Sequence, residues 1–365
     1  MKTALKYIFA ALVAALSACA DMGEIETQNR EAARALSPIQ MAAILPKDEC
    51  PQTTLQIKNA MLLAAKEHNQ SEAEKPSKIS LFFIDTDGSK EQFQTAVAAL
   101  KARGAAAVHA GYTSQCAFEL KRLESMGALV NFFSQYPPAA AQTKNGVRIF
   151  LNGAQVCEEM AKEIPAASPL EKKTLIIIAP DTVLGKSCAE YLKYETGSLN
   201  LKIFSESFSP REKDFALLAK NISENKIDYA LVFAPEEEQR RDILNALAAA
   251  GYKGKVFANC ALQNSGFQAP KNLDLKTVKS AFAKSPCPDS ERFKAAYEKE
   301  YGQAPGLAAA LAYDAVKISA LALLQSGKDP ARAKEFLLKK SFAGAAGKIE
   351  FDSDGDAKIP LELSR

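Results

Sequence analysis

Short apolar runs alternate along this chain with longer stretches in which apolar residues recur at helical spacing. Ile39–Leu45 is an unbroken apolar-rich run that closes at Pro46, the pattern of a strand buried on both faces. Thr54–Glu67 follows, with Ile57, Ala60, Met61 and Ala64 on one helical face. Lys78–Ile84 reads as the next strand. It ends in a turn at Asp85–Gly88 and leads to a helix over Glu91–Arg103, with Gly104 placed to cap it. Strand Ala105–Ala110, helix Ser114–Met126 and strand Ala128–Phe133 complete a first series.

A second series repeats the cycle. It runs helix Gln155–Glu163, strand Thr174–Ala179, helix Lys186–Tyr194, strand Leu201–Phe208 and helix Lys213–Asn225. Strand Tyr229–Ala234, helix Glu237–Ala250 and strand Lys255–Asn259 follow. Strand and helix in strict alternation predict an α/β chain with two doubly wound parallel-sheet lobes.

The N-terminus has a different character. Lys2 and Lys6 precede an apolar stretch over 7–16 that is shorter than the roughly 20 residues a spanning helix needs, and no later segment is expected to reach that length. This is the layout of an export signal over residues 1–18. It ends in Leu16-Ser17-Ala18-Cys19, which resembles the bacterial lipobox, so Cys19 is the expected lipidation site; an ordinary signal with a chance cysteine is the other reading. Residues 19–37 are polar and read as the lipidated cysteine and its tether. The expected location is the periplasm or cell envelope, with the choice of membrane open.

Composition excludes several functions. The formal net charge is +3, and loss of Lys2 and Lys6 with the signal brings the mature chain near neutrality, so nothing favours nucleic acid. The chain has only two histidines, His68 and His109, and no C-x-x-C, so no metal site is expected. Asp352–Asp356 is acidic, but glycine and glutamate are absent from the positions a calcium loop requires; the better reading is a turn joining a hairpin of Ile349–Phe351 and Ile359–Leu363. Gly185-Lys186-Ser187 ends like a phosphate loop, but Pro180 stands where the first glycine belongs. There is no G-x-S-x-G, and neither histidine has an evident nucleophile. No catalytic residue and no cofactor are expected.

The last quarter of the chain is the most specific. Phe293–Pro305 reads F-K-A-A-Y-E-K-E-Y-G-Q-A-P, Ala309–Val316 reads A-A-L-A-Y-D-A-V, and Gly347–Asp356 reads G-K-I-E-F-D-S-D-G-D. Together they resemble the type I periplasmic binding proteins, the leucine/isoleucine/valine-receptor group that feeds ABC importers. The resemblance implies two lobes joined by a three-strand hinge, with lobe one at 38–146 plus 261–340 and lobe two at 147–260 plus 341–365. It implies a monomer that holds a small polar solute, amino-acid-like or amide-like, and passes it to an ABC permease in the inner membrane.

In open α/β sheets, ligands sit beyond the carboxyl ends of the strands. In lobe one this points to Tyr112, Thr113 and Ser114 after the third strand, and to Ser134 and Tyr136 after the fourth. By the resemblance, hydroxyl groups here and a helix N-terminus hold the ligand's carboxylate; a plain helix cap is the alternative. In lobe two the candidates are Leu184, Glu236 and Asn259. Leu184 stands where the family often has an aromatic. Glu236 can meet a ligand ammonium or serve as a first-turn acid of the next helix. Because that match is weaker, a second reading stands beside the first: an outer-membrane lipoprotein of the same fold that activates a peptidoglycan synthase and binds no solute.

Six cysteines remain beside Cys19: Cys50, Cys116, Cys157, Cys188, Cys260 and Cys287. An even number in an exported chain suggests disulfides, with buried free thiols as the alternative. The order of elements suggests the pairs Cys50–Cys116, Cys157–Cys188 and Cys260–Cys287.

Overall fold

The computed structural model describes residues 37–47, 51–71, 77–87, 89–111, 120–136, 139–168, 170–235, 237–259, 270–280 and 288–364. The first lobe is built from strands β1 (Ile39–Pro46), β2 (Ile79–Thr86), β3 (Ala107–Ala110), β4 (Leu129–Phe132) and the short β5 (Gly146–Val147). They form one parallel sheet in the order β2-β1-β3-β4-β5. Helices α1 (Pro51–Ser71), α2 (Lys90–Ala102) and α3 (Leu120–Glu124) connect them. Period-two alternation along β1 explains the layering. Met41, Ala43 and Leu45 face the core shared with Ile57 and Met61 of α1, while Ala42 and Ile44 face Phe93, Val97 and Leu100 of α2. Gly104 caps α2 as expected: its φ of 65° is left-handed, and Ala105 N donates to Leu100 O.

The second lobe carries α4 (Gly153–Ala161), β6 (Thr174–Pro180), α5 (Val183–Thr196), β7 (Lys202–Phe208), α6 (Ala216–Glu224), β8 (Tyr229–Val232), α7 (Glu237–Ala249), β9 (Lys255–Asn259) and β10 (Asp274–Ser280). Its sheet runs β13-β10-β9-β8-β6-β7, parallel except for β13 (Leu361–Ser364), which is antiparallel to β10. Leu175 and Ile177 of β6 pack with α4 and α5 in one core layer. Ile176 and Ile178 pack with Ile222 of α6 and Ile243 of α7 in the other. Both lobes are doubly wound and parallel. α5 begins three residues before the expected Lys186 because the Thr182 hydroxyl caps it, accepting from Gly185 N at 3.0 Å.

After β10 come α8 (Pro288–Tyr301), α9 (Leu307–Gln325) and α10 (Pro330–Leu338), then a hairpin of β11 (Ser341–Gly344) and β12 (Gly347–Glu350). The motifs of the last quarter hold these pieces to lobe one. Tyr301 Oη donates to Asn59 O of α1 at 2.8 Å, and the Asp314 carboxylate accepts from Ala345 N and Ala346 N at 2.6 and 2.8 Å. Asp314 thus pins the β11–β12 turn.

Three expectations change. First, α9 is 19 residues long with a mean hydropathy of 1.7, so one later segment does reach membrane-spanning length; it is 83% buried in the lobe-one core, packed along α1. Second, β10 lies inside 261–340 yet joins the lobe-two sheet, because Leu275 extends one of its buried faces and Val278 the other beside β9. Residues 341–350, expected in lobe two, stay with lobe one on Asp314. Third, the expected hairpin of Ile349–Phe351 with Ile359–Leu363 is reduced to a single bridge, Phe351–Ala357, around the aspartate-rich turn. Leu361–Ser364 pairs with β10 instead, and β12 pairs with β11.

Candidate functional site: the carboxyl ends of two sheets

Each sheet reverses its winding at one place, between β1 and β3 in lobe one and between β6 and β8 in lobe two. A crevice opens beyond the strand ends at such a switch point. The strands leading out of each lobe show how the two crevices relate. β5 runs parallel to β4, so the chain leaves lobe one at the carboxyl end of its sheet and enters α4. β10 runs parallel to β9, so it leaves lobe two at the carboxyl end before α8. β13 is antiparallel to β10, with Leu361 opposite Ser280, so the chain coming from β12 also enters at that end. All three passages therefore join the carboxyl ends of the two sheets.

The floor of this junction is polar and buried. Arg148, which has no exposed surface, follows β5 directly. Its Nη1 donates to Ser134 O at 3.0 Å, and its Nε lies 2.8 Å from Asp356 Oδ1 in an ion pair between the first and third passages. Asn152 Nδ2 donates to the second oxygen of Asp356 at 2.5 Å. The Asn152 side-chain oxygen in turn accepts from Ala154 N at the start of α4. Backbone bonds reinforce the pairing, from Arg148 N to Gly355 O and from Ala357 N to Arg148 O. Burial pulls the Arg148 pKa down and pushes the Asp356 pKa up, and each charge opposes the shift of the other.

The sequence candidates fall around this floor in different ways. Ser134 is buried: its carbonyl serves Arg148 and its hydroxyl accepts from Tyr136 N at 3.2 Å. Half-buried Tyr136 packs against the second core layer of lobe one. Asn259 is buried at the end of β9, and its Oδ1 accepts from Ala234 N at 2.7 Å, tying the ends of β9 and β8 together. Leu184 is buried in the core beneath α5. Tyr112, Thr113, Ser114 and Glu236 lie outside the described residues.

Two cysteine candidates are corrected. Cys157 and Cys188 are buried free thiols, and the Cys157 thiol donates to Cys188 O at 3.6 Å instead of forming a disulfide. The nearby helices α4 and α5 shelter both sulfurs in the core, so neither is offered to solvent. Cys19, Cys50, Cys116, Cys260 and Cys287 lie outside the described residues.

Sequence reading missed Arg148, Asn152 and Asp356. The signal was an arginine alone in the apolar run Val147-Arg148-Ile149-Phe150-Leu151. No group of metal-ligating side chains is found among the described residues.

Comparison with known proteins agrees with this architecture. The family model described as periplasmic binding protein matches residues 51–360. No match is found among curated proteins. A solute-binding protein of an ABC transporter from Rhodopseudomonas palustris BisB5, solved with 3,4-dihydroxybenzoic acid, superposes with a TM-score of 0.74 at 20% identity, covering 90% of this chain and 93% of its own. The leucine-binding protein LivK of Thermotoga maritima gives 0.72 at 18% identity, covering 90% and 98%. The branched-chain amino acid binding protein LivJ of Streptococcus pneumoniae, solved with isoleucine, gives 0.72 at 17% identity, covering 90% and 99%. With two doubly wound lobes joined at their carboxyl ends and a family match over most of its length, this chain belongs to the periplasmic binding protein family, in its type I form.

Proposed function

We propose that this chain is an extracytoplasmic solute receptor that captures a small polar solute between its lobes and presents it to an ABC permease. One observation carries the reading: all three passages between the lobes join the carboxyl ends of parallel sheets, where open α/β folds bind ligands. Closure about the passages dries the cleft, and the helix N-termini and strand-end amides facing it supply donors for a carboxylate. The ligands named for structural relatives, leucine, isoleucine, benzoate and 3,4-dihydroxybenzoic acid, are all carboxylic acids. An amino-acid-like or amide-like solute is the first choice, with Thr113, Ser114 and Glu236 as its candidate contacts. Cys19 anchors the receptor in the envelope, and the protein captures its solute as a monomer, without catalysis.

A thermal-shift screen of the chain from Asp21 onward tests this, against amino acids, amides and aromatic carboxylates. The absence of tryptophan makes intrinsic fluorescence a poor substitute. A ligand at 100 times its Kd stabilises by about 2.7 kcal/mol. A saturable shift with one class supports the receptor and names its solute. A folded protein with no shift across the panel rejects it in favour of a partner-binding lipoprotein of the same fold.

A further inference from the structure

β7 is an edge of the second sheet: Lys202–Phe208 pairs with β6 along its whole length and with no other strand among the described residues. Lys202 N donates to Lys173 O at 3.0 Å, and Asp181 N donates to Phe208 O at 2.7 Å. The even-numbered residues therefore turn their backbone groups to β6, and Ile203, Ser205 and Ser207 turn theirs outward. Those outward groups meet no hydrogen-bond partner among the described residues. Within the strand only Phe208 is buried, so the edge lies open to solvent.

The edge of the first sheet is treated differently. On β2, Ile79 N donates to Asn69 Oδ1 at 2.7 Å and Asn69 Nδ2 donates to Ile79 O at 2.9 Å, so a side chain takes the place of a neighbouring strand. β7 has no such cover among the described residues, and a bare strand edge is a template for another strand.

The residues of β7 select that strand. Lys202, Phe204 and Glu206 lie on one face. Phe204 is 37% exposed, and Lys202 Nζ stands 4.8 Å from the centre of its ring. A second β7 laid antiparallel about a two-fold axis at Phe204 sets each Lys202 opposite the partner's Glu206, and Phe204 opposite its own copy. Ile203 and Ser205 then form the hydrogen-bonded pairs, as their outward amides require. The charged and aromatic residues fall at the non-hydrogen-bonded pairs, where side chains stand closest. No other axis pairs Lys202 with Glu206, and an axis at Glu206 sets like charges together.

We propose that β7 docks a second copy of this chain edge to edge, in an antiparallel pair centred on Phe204 that joins the two lobe-two sheets into one. The contact is isologous and closed, so it stops at a dimer. It goes beyond the receptor reading, since the cleft belongs to one chain and capture needs no partner. The competing account is that Lys202 and Glu206 only keep a lone edge solvated.

Disulfide trapping on the full chain decides between them. Oxidised Phe204→Cys is expected to give a covalent dimer of twice the chain's mass, above the wild-type background from native cysteines, because residues opposite each other at such a pair are close enough to bridge. Ser205→Cys, which this register sets opposite Ile203, gives nothing above that background. In the Phe204→Cys chain, Lys202→Glu lowers the dimer yield at least about fivefold, and Lys202→Glu with Glu206→Lys restores it. A Phe204→Cys yield no higher than wild type, an equal yield from Ser205→Cys, or a yield indifferent to charge reversal overturns the proposal. A linked product of any other mass assigns the edge to a different protein and overturns it too. Should Phe204→Cys not fold, carbodiimide coupling of the wild-type chain takes its place. Lys202 and Glu206 of one chain are about 13 Å apart along the strand, too far for a direct amide, so an amide between them forms only across a dimer. Its absence overturns the pairing. The solute screen is read on the unmodified chain, so either result stands without the other.

Discussion

The Arg148 guanidinium and the Asp356 carboxylate meet at 2.8 Å with almost no solvent on either, although 207 positions separate them in the chain. They join the first and third passages between the lobes, and Asn152 completes the carboxylate's bonding. The pair holds two of the three passages of the proposed closure together.

Removing one partner strands a buried charge. Asp356→Ala is expected to destabilise by about 3–5 kcal/mol, and the double change Arg148→Met with Asp356→Leu by less, since no bare charge remains. Urea unfolding of the three proteins checks this. A double variant that loses more than Asp356→Ala alone would contradict it.

Two buried groups in lobe one give opposite pH dependences. Burial raises the Asp314 pKa to about 7, against the pull of the Ala346 and Ala345 amides. Its folded value lies above its unfolded one, so its contribution is present below about pH 4 and is lost as pH rises to about 7. Burial lowers the His109 pKa to about 4. The neutral ring is the stable form, and its contribution is present above pH 6.5 and lost as pH falls toward 4. Asp314→Asn is expected to tilt stability upward with pH relative to wild type, and His109→Gln downward, each by about 1.4 kcal/mol per pH unit at most. Chemical denaturation at several pH values reads both slopes, and parallel curves for all three proteins would refute the assignment.

Cys157 and Cys188 are expected to resist alkylation in the native protein, since burial raises the Cys188 pKa well above that of an ordinary thiol and a neutral thiol is a poor nucleophile. Unfolding without reductant should make both alkylatable. Peptide mapping that finds them joined by a disulfide contradicts the free-thiol assignment.

Asn259 separates scaffold from ligand contact. Asn259→Ala leaves Ala234 N without its acceptor and should cost about 1–3 kcal/mol. If Asn259 is only a clamp between β8 and β9, the affinity for any cleft ligand found in the screen stays within about threefold. A larger loss of affinity with unchanged stability makes it a ligand contact instead.

The local pattern of residues was enough to place β1, β6, α1, α2 and α7, because their buried faces repeat at the strand or helix period and their ends carry proline, glycine or capping side chains. It also pointed to the switch-point loops, since strand order in a doubly wound sheet follows from alternation. β5 and β10 escaped notice: β5 is two residues long, and β10 has only Leu275 and Val278 among polar residues, without period-two alternation, and looks like a surface segment until β9 lies beside it. The partner of Leu361–Ser364 was equally hidden, since a strand's apolar face says that it pairs and not with which strand. Arg148 and Asp356 show the same limit most clearly. Either residue read alone is a surface charge or a turn acid. Only the folding of the first and third passages onto one junction removes both from water, and that desolvation is what turns two ordinary charges into the floor of the junction.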